Sequence, residues 1–294
     1  MICPKCNSET VKWGKSRGQR YKCKECRYEF TFKEVVSKPN VLVVDVETTP
    51  LMAYTWGCWQ QNINPVQLIK ESNMLTWSAK WLYEPEIFSD RLTSKEAKAG
   101  DDKRLVTGLW KFLEAANVVI AHNLDKFDNK VIKTRFFLNG LKPTTPYQGI
   151  DTLKVVKREF KFPHNRLDWI HKRLGGEGKI ETDFDLWKRC MDGDDEALEY
   201  MEKYNREDVK VLEEVYTMVK PWIKSHPNMA LFVETDGESC PTCSSVDLNW
   251  TGSYATMVNK YSSFRCGKCG AIGRSRHSEL TKEDKTKILQ SIAR

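Results

Sequence analysis

The chain has 294 residues, of which 40% are hydrophobic and 30% charged, with ten cysteines and a formal net charge of +7 at neutral pH. That balance is ordinary for a folded globular protein and excludes a fibrous or wholly disordered chain. No stretch approaches the ~18 apolar residues a membrane span needs, and the start, Met1-Ile2-Cys3-Pro4-Lys5-Cys6, lacks the apolar run of a signal peptide. The expectation is a protein of a reducing cytoplasm, without membrane contact, whose cysteines serve metal rather than disulfides. Charge is unevenly spread: residues 1–39 carry +6, residues 240–294 carry +5, and residues 40–239 carry −4. Basic ends around an acidic centre suit arms that meet phosphates and a centre that gathers cations, although charge also keeps small modules soluble.

In chain order, the first feature is a cysteine quartet. Cys3, Cys6, Cys23 and Cys26 are spaced CxxC-x16-CxxC. Each CxxC places two thiolates on one tight turn, and two such turns complete a tetrahedral Zn²⁺ site. Around them, Lys12, Lys15, Arg17, Arg20 and Lys22 interleave with Tyr21, Tyr28, Phe30 and Phe32. This mixture suits phosphate contact with base stacking, the plainer alternative being a tiny aromatic core with basic residues facing water. The module is expected over residues 1–36, with Ser37-Lys38-Pro39-Asn40 as a linker.

Val41–Val46 is an apolar, β-branched run, read as a central strand. Two further strand-like segments, near Ala53–Trp59 and Met74–Tyr83, are expected to pair with it as an antiparallel meander. The tryptophans of Trp56–Trp81 are assigned to the core rather than to base stacking. Asp102–Ala116 has helical spacing through Leu105, Leu109, Phe112 and Leu113. Asn117–Ala121 reads as a short buried strand, Phe127–Asn139 as a helix ended by Gly140, and Tyr147–Thr152 as a strand running into a helix. The acidic stretch Asp183 to Asp195 is read as solvated surface and helix start, and a long helix follows over Asp195–Val219, ahead of Pro221. Strands first, then strands alternating with helices, give an α/β domain over residues 41–226: a mixed β-sheet with helices on both faces.

After His226-Pro227-Asn228 comes a second quartet. Cys240, Cys243, Cys266 and Cys269 are spaced CxxC-x22-CxxC, again with Trp250, Tyr254, Lys260, Tyr261, Phe264, Arg265 and Lys268 interleaved. A second zinc module is expected over 238–277, and Thr281 with Asp284 fits a capping box in a short helical tail over 278–294. Two structural Zn²⁺ are therefore expected. Cys58 and Cys190 are left over and are read as small buried hydrophobes.

Three carboxylate signals lie between the quartets. Asp45-Val46-Glu47 sits at the end of the first central strand, and side chains two apart on a strand share a face. Two anions side by side are costly unless a cation joins them, and hard divalent ions suit carboxylate oxygen. The second signal is Asn123-x3-Phe127-Asp128, where a strand gives way through a polar turn to a helix; helix capping is its bland alternative. The third is Tyr204-x3-Asp208, on one helix face with the apolar stripe Val211, Leu212 and Val215. Ordered as Asp-x-Glu, Asn-x3-Phe-Asp and Tyr-x3-Asp, they resemble the exonuclease motifs of the DnaQ-like superfamily, in its tyrosine-bearing DEDDy form, over about residues 41–220.

The resemblance implies an RNase H-like fold in which Asp45, Glu47, Asp128 and Asp208 hold two Mg²⁺ or Mn²⁺, with Tyr204 orienting the attacking water. It implies a two-metal 3′–5′ exonuclease acting on nucleic acid, single-stranded or frayed DNA being favoured and RNA an alternative. One departure is Pro50 after Thr49, where many members carry glycine; phage-type members share it, which would place the chain in a bacterial host. The first quartet is similar to the zinc ribbons of insertion-sequence transposases, which bind DNA. Rival readings are a structure-selective endonuclease on the same fold and a non-catalytic nucleic-acid-binding protein. His122 and Asp151 are read as a hydrogen-bonded support of the turn and a helix N-cap.

Overall fold

The computed structural model describes residues 2–3, 5–15, 19–31, 38–178, 180–235 and 237–289. Arg17, Phe32, Ser37 and the last residues of the expected tail lie outside them. The chain divides into two compact units, Met1–Lys38 with Leu231–Glu234, and Pro39–Ala230 with Thr235–Arg294. In the first, β1 (Thr10–Lys15), β2 (Gln19–Cys23) and β3 (Glu29–Thr31) form an antiparallel sheet in the order β1-β2-β3.

The second unit is organised by β4 (Val41–Thr48), the middle strand of five. After β4 the chain makes an excursion through a two-stranded pair, β5 (Met52–Ala53) and β6 (Leu68–Lys70). It returns as β7 (Met74–Trp81) and β8 (Ile87–Arg91), which extend β4 as an antiparallel meander. Helices α1 (Ser94–Ala99) and α2 (Lys103–Ala115) then lead to β9 (Val118–Ala121), parallel to β4. Helix α3 (Asp128–Leu138) precedes β10 (Gln148–Asp151), parallel to β9, so the order is β10-β9-β4-β7-β8. Four more helices follow: α4 (Thr152–Glu159), α5 (Leu167–Arg173), α6 (Phe184–Met191) and α7 (Asp195–Val219). The second cysteine quartet brackets β11 (Leu248–Ala255) and β12 (Lys260–Cys266), β13 (Ile272–Arg274) comes just after it, and α8 (Lys282–Thr286) follows with the expected Thr281–Asp284 capping box.

Strand alternation sorts the core. Leu42, Val44 and Val46 of β4 and Val119 and Ala121 of β9 pack with α2, α3 and α6 on one face. Val41 and Val43, with Val118 and Ile120, pack with α4, α5 and the second half of α7 on the other. The expected α/β sheet with helices on both faces is what the chain forms, because each inner strand buries both of its faces. Helix α7 is unusual in serving both cores. Ala197, Leu198 and Met201 join the first, and Val209, Leu212, Val215 and Val219 join the second.

Three expectations need correction. The segment Ala53–Trp59 is not a strand of the meander; only Met52–Ala53 is extended, and it pairs with β6, while β8 takes the place assigned to it. Its tryptophans leave the core as well: Trp56 is 100% exposed and Trp59 81%, whereas Trp77 is buried. Cys58 on the same excursion is exposed, whereas Cys190 is buried in the first core as expected. Residues 51–66 contain no charged residue, so hydrophobicity alone could not separate an exposed arm from a buried strand.

The first core also holds a buried ion pair that periodicity does not reveal. Asp102 accepts from Arg135 Nε and Nη2 at 2.6 and 2.7 Å, from the Met74 backbone N–H at 2.9 Å, and from Asn139 Nδ2 at 2.9 Å. This carboxylate ties α2, α3 and β7 together. Breaking such a pair on one side strands the other charge, at about 3–5 kcal/mol. Asp102→Ala is therefore expected to lower unfolding free energy in urea by that amount, and a loss below about 1 kcal/mol would contradict the bonding pattern.

Candidate active site

Asp45 and Glu47 lie on the β4 face that points to α7, the face of Val41 and Val43. Across from them, α7 presents Tyr204, Asn205 and Asp208 where it passes from one core to the other. Asp208 and Asn205 are buried, and Tyr204 is partly so. Asn205 Nδ2 donates to Asp45 Oδ2 at 2.6 Å, which locks strand to helix. One carboxylate oxygen each from Asp45, Glu47 and Asp208 lies within 4.8 Å of the others. Three anions so close repel one another strongly unless cations intervene.

Asp128 reaches the same place from the opposite element. The chain leaves β9 through Asn123, whose φ of 86° is a left-handed conformation that asparagine tolerates. That reversal makes Asp128 the first residue of α3 and buries its carboxyl at 1% exposure. It is not a cap, since no side-chain cap hydrogen bond is made at this helix start. The Val46 N–H stabilises the carboxylate, yet Oδ2 is buried with no hydrogen-bond partner among the described residues. Burial, and then the charge of Asp151, push its pKa up to about 7. Asp128 stands outside the trio's tight grouping but lines the same cavity of about 860 Å³ together with Asp45, Glu47, Tyr204 and Asp208. Asp45, Glu47, Asp128, Tyr204 and Asp208, the five residues singled out by their motifs, thus share one cavity.

Tyr204 is held protonated. Burial, then the negative charges of Asp208, Glu47 and Asp45, drive the pKa of its hydroxyl well above the ordinary tyrosine value. It can donate a hydrogen bond into the cavity but cannot act as a base near neutral pH. Around this centre, Asp151 caps α4 through the Lys154 N–H at 3.2 Å, as expected. It also accepts from the backbone of Asn123 at 3.0 Å and Asp125 at 3.2 Å, so it fixes the turn that aims Asp128. His122 Nε2 lies 2.9 Å from the Asn165 carbonyl, which can only accept, so this nitrogen donates and Nδ1 faces Thr152 Oγ1 at 2.9 Å. Sequence reasoning missed Asn205, because an asparagine inside a helix carries no motif of its own.

The two quartets close as the spacing requires. Cys3–Cys26 and Cys6–Cys23 have Sγ–Sγ distances of 3.6 and 3.4 Å, and Cys240–Cys269 and Cys243–Cys266 of 3.7 and 3.6 Å. A tetrahedron with Zn–S bonds of ~2.3 Å has edges of ~3.8 Å, so both groups are shaped for Zn²⁺. In the first ribbon, Arg20 and Lys22 both pair with Glu29 at 2.8 Å, and Lys22 lies 4.3 Å over the exposed Trp13 ring. In the second, Arg274 stacks 3.9 Å from the Tyr261 ring centre. The second ribbon is built onto the nuclease-like core: the Met229 N–H donates to the Pro241 carbonyl at 2.7 Å, and Gly270 abuts Pro221 just past α7.

Metal analysis of purified protein is expected to give two zinc per chain, and Cys266→Ser to remove one; full retention in the variant would dissociate Cys266 from the metal. Mn²⁺ at about 100 times its Kd stabilises a folded protein by about 2.7 kcal/mol, which is several degrees in Tm. Wild-type protein should show that gain and Asp128→Asn less than half of it; equal gains would place the ion elsewhere.

Among the described residues, no helix is long and apolar enough to cross a membrane. The chain matches no curated protein. A family model described as the RNase_H superfamily matches residues 42–220, which takes in all three carboxylate motifs and the five-stranded sheet that carries them. By that match, over more than half of its length, the chain belongs to the RNase_H superfamily, whose nuclease chemistry on nucleic acid is the coarse function its acidic cavity shares.

Proposed function

We propose that the chain is a metal-dependent 3′–5′ exonuclease of the DEDDy type, acting on single-stranded or frayed DNA. The observation that carries this reading is the convergence of Asp45, Glu47 and Asp208 within 4.8 Å, with Asp128 and Tyr204 lining the same cavity. The donor set fits hard divalent ions. It is all carboxylate oxygen, it is crowded beyond what unscreened anions tolerate, and it includes the buried Oδ2 of Asp128, which has no hydrogen-bond partner among the described residues. Asp45, Glu47, Asp128 and Asp208 would hold Mg²⁺ or Mn²⁺, which supplies charge neutralisation of the phosphate and an acidified water nucleophile.

The chain's own residues do the positioning. Asn205 keeps Asp45 turned toward Asp208. Tyr204 keeps its proton, which is directed to Asp208 in this structure, and would turn it to the attacking water when Asp208 holds a cation, orienting the water toward phosphorus. The Asp151 carboxylate and the His122 ring hold the Asn123 turn and the residues after α4, so the wall facing the carboxylates stays formed. A cavity of about 860 Å³ has the scale of a small-ligand pocket, ~300–1,000 Å³, which suits a short single-stranded end rather than an intact duplex. The order Asp-x-Glu, Asn-x3-Phe-Asp, Tyr-x3-Asp supports the polarity. The two ribbons add basic and aromatic surface suited to nucleic acid.

Incubation with Mn²⁺ and 5′-labelled linear DNA should give a ladder shortened from the 3′ end, while circular single-stranded DNA stays intact. Cutting of the circle would instead indicate an endonuclease. Asp45→Ala and Asp208→Ala are expected to abolish hydrolysis with the fold retained. Tyr204→Phe should slow it by about 10²-fold or more without abolishing it, in line with loss of an oriented proton donor. An unchanged rate in Tyr204→Phe would reduce the tyrosine to a packing role.

A further inference from the structure

We infer that Lys157, Arg166 and Lys172 form a phosphate rail on the wall of the cavity opposite the carboxylates, along which a single nucleic-acid strand is held. The inference rests on the nuclease reading above and extends it to residues that no motif marks. Lys157 lies in the last turn of α4, Arg166 immediately before α5, and Lys172 in the last turn of α5. All three line the cavity that contains Asp45, Glu47 and Asp208.

Their lack of partners distinguishes them from their neighbours. On the same two helices, Lys154 pairs with Asp125, Arg158 with Glu159 at 2.6 Å, and Arg173 stacks 5.2 Å from the Trp169 ring centre. Lys224 shares Glu159 at 3.0 Å. Lys157, Arg166 and Lys172 form no ion pair among the described residues, although Asp168 and Glu181 also line the cavity. Three exposed cations therefore line the same cavity as an anionic centre, in a central segment whose net charge is −4. A ligand that joins both walls must carry anions to the cations and bring one anionic group to the carboxylates and their ions. A nucleic-acid strand has that form, with phosphates repeating along it. Lys172 is also placed by the backbone: its stem lies against Gly178, where a Cβ would come within 2.1 Å of Cε.

The test is binding of a short fluorescent oligothymidylate to full-length zinc-loaded protein in buffer without added Mg²⁺ or Mn²⁺, by anisotropy across a range of salt. Lys157→Ala/Arg166→Ala/Lys172→Ala is expected to weaken binding by about ten-fold or more and to reduce the slope of log affinity against log salt by about 2, at ~0.7 per phosphate on a single strand. Arg158→Ala/Lys224→Ala, which removes paired cations, should change the slope by less than half as much. In Mn²⁺ the triple variant should raise KM and leave kcat within about two-fold, since uniform binding is what it loses. Unchanged affinity and slope, or no binding by the wild type, overturns the rail. Because the binding arm needs no added Mg²⁺ or Mn²⁺, a rail effect without any hydrolysis by the wild type would sink the nuclease reading alone. Hydrolysis by the wild type with unaltered binding in the triple variant would sink the rail alone.

Discussion

Mutual repulsion among carboxylates at the end of β4 is the constraint from which the rest of the architecture follows. Asp45, Glu47 and Asp208 are brought within 4.8 Å, and Asp128 lines the same cavity, its buried Oδ2 without a hydrogen-bond partner among the described residues. Such an arrangement disfavours the folded chain on its own account, so its surroundings must be over-determined. They are. β4 is flanked on both sides by strands and buried on both faces. Asn205 ties α7 to Asp45, and the Asp151 carboxylate holds the turn that delivers Asp128. The hydrophobic cores supply the stability, and the polar centre consumes part of it.

Helix α7 is the element on which that balance rests. Its first half packs into one core and its second half into the other, so Tyr204, Asn205 and Asp208 occupy the crossing, where the end of the central strand β4 opens to the cavity. Just past its end, Pro221 meets Gly270 of the second cysteine ribbon, and Met229 bonds to Pro241. Closure of that ribbon thus braces the end of the helix that carries Tyr204, Asn205 and Asp208. The first ribbon is a unit of its own, and part of its basic charge is taken up internally by Glu29.

The sheet, its helices and the acidic residues were legible in the sequence because each leaves a periodic or spaced signature: the apolar run of β4, the stripe of α7, the paired Asp-x-Glu, the CxxC quartets. What was not legible depends on contacts between distant residues. The excursion after β4 is rich in tryptophan and free of charge, and those properties describe a buried strand as well as an exposed arm; Trp56 and Trp59 lie outside while Trp77 lies inside. Asp102 carries no motif, yet it is the buried partner of Arg135. Asn205 and the cations Lys157, Arg166 and Lys172 gain meaning only from what they face. Asp128 could have been an N-cap on sequence grounds; the helix makes no side-chain cap hydrogen bond, and the Oδ2 of Asp128 is buried without a partner among the described residues.

The central claim, that these carboxylates exist to share divalent ions, is tested most directly by diffraction from crystals soaked in Mn²⁺ with a nucleoside monophosphate. Anomalous difference density is expected between Asp45, Glu47 and Asp208, with a second peak against Asp128. A cavity that stays free of anomalous density at millimolar Mn²⁺, with the four carboxyl groups hydrogen-bonded to one another instead, would contradict the account.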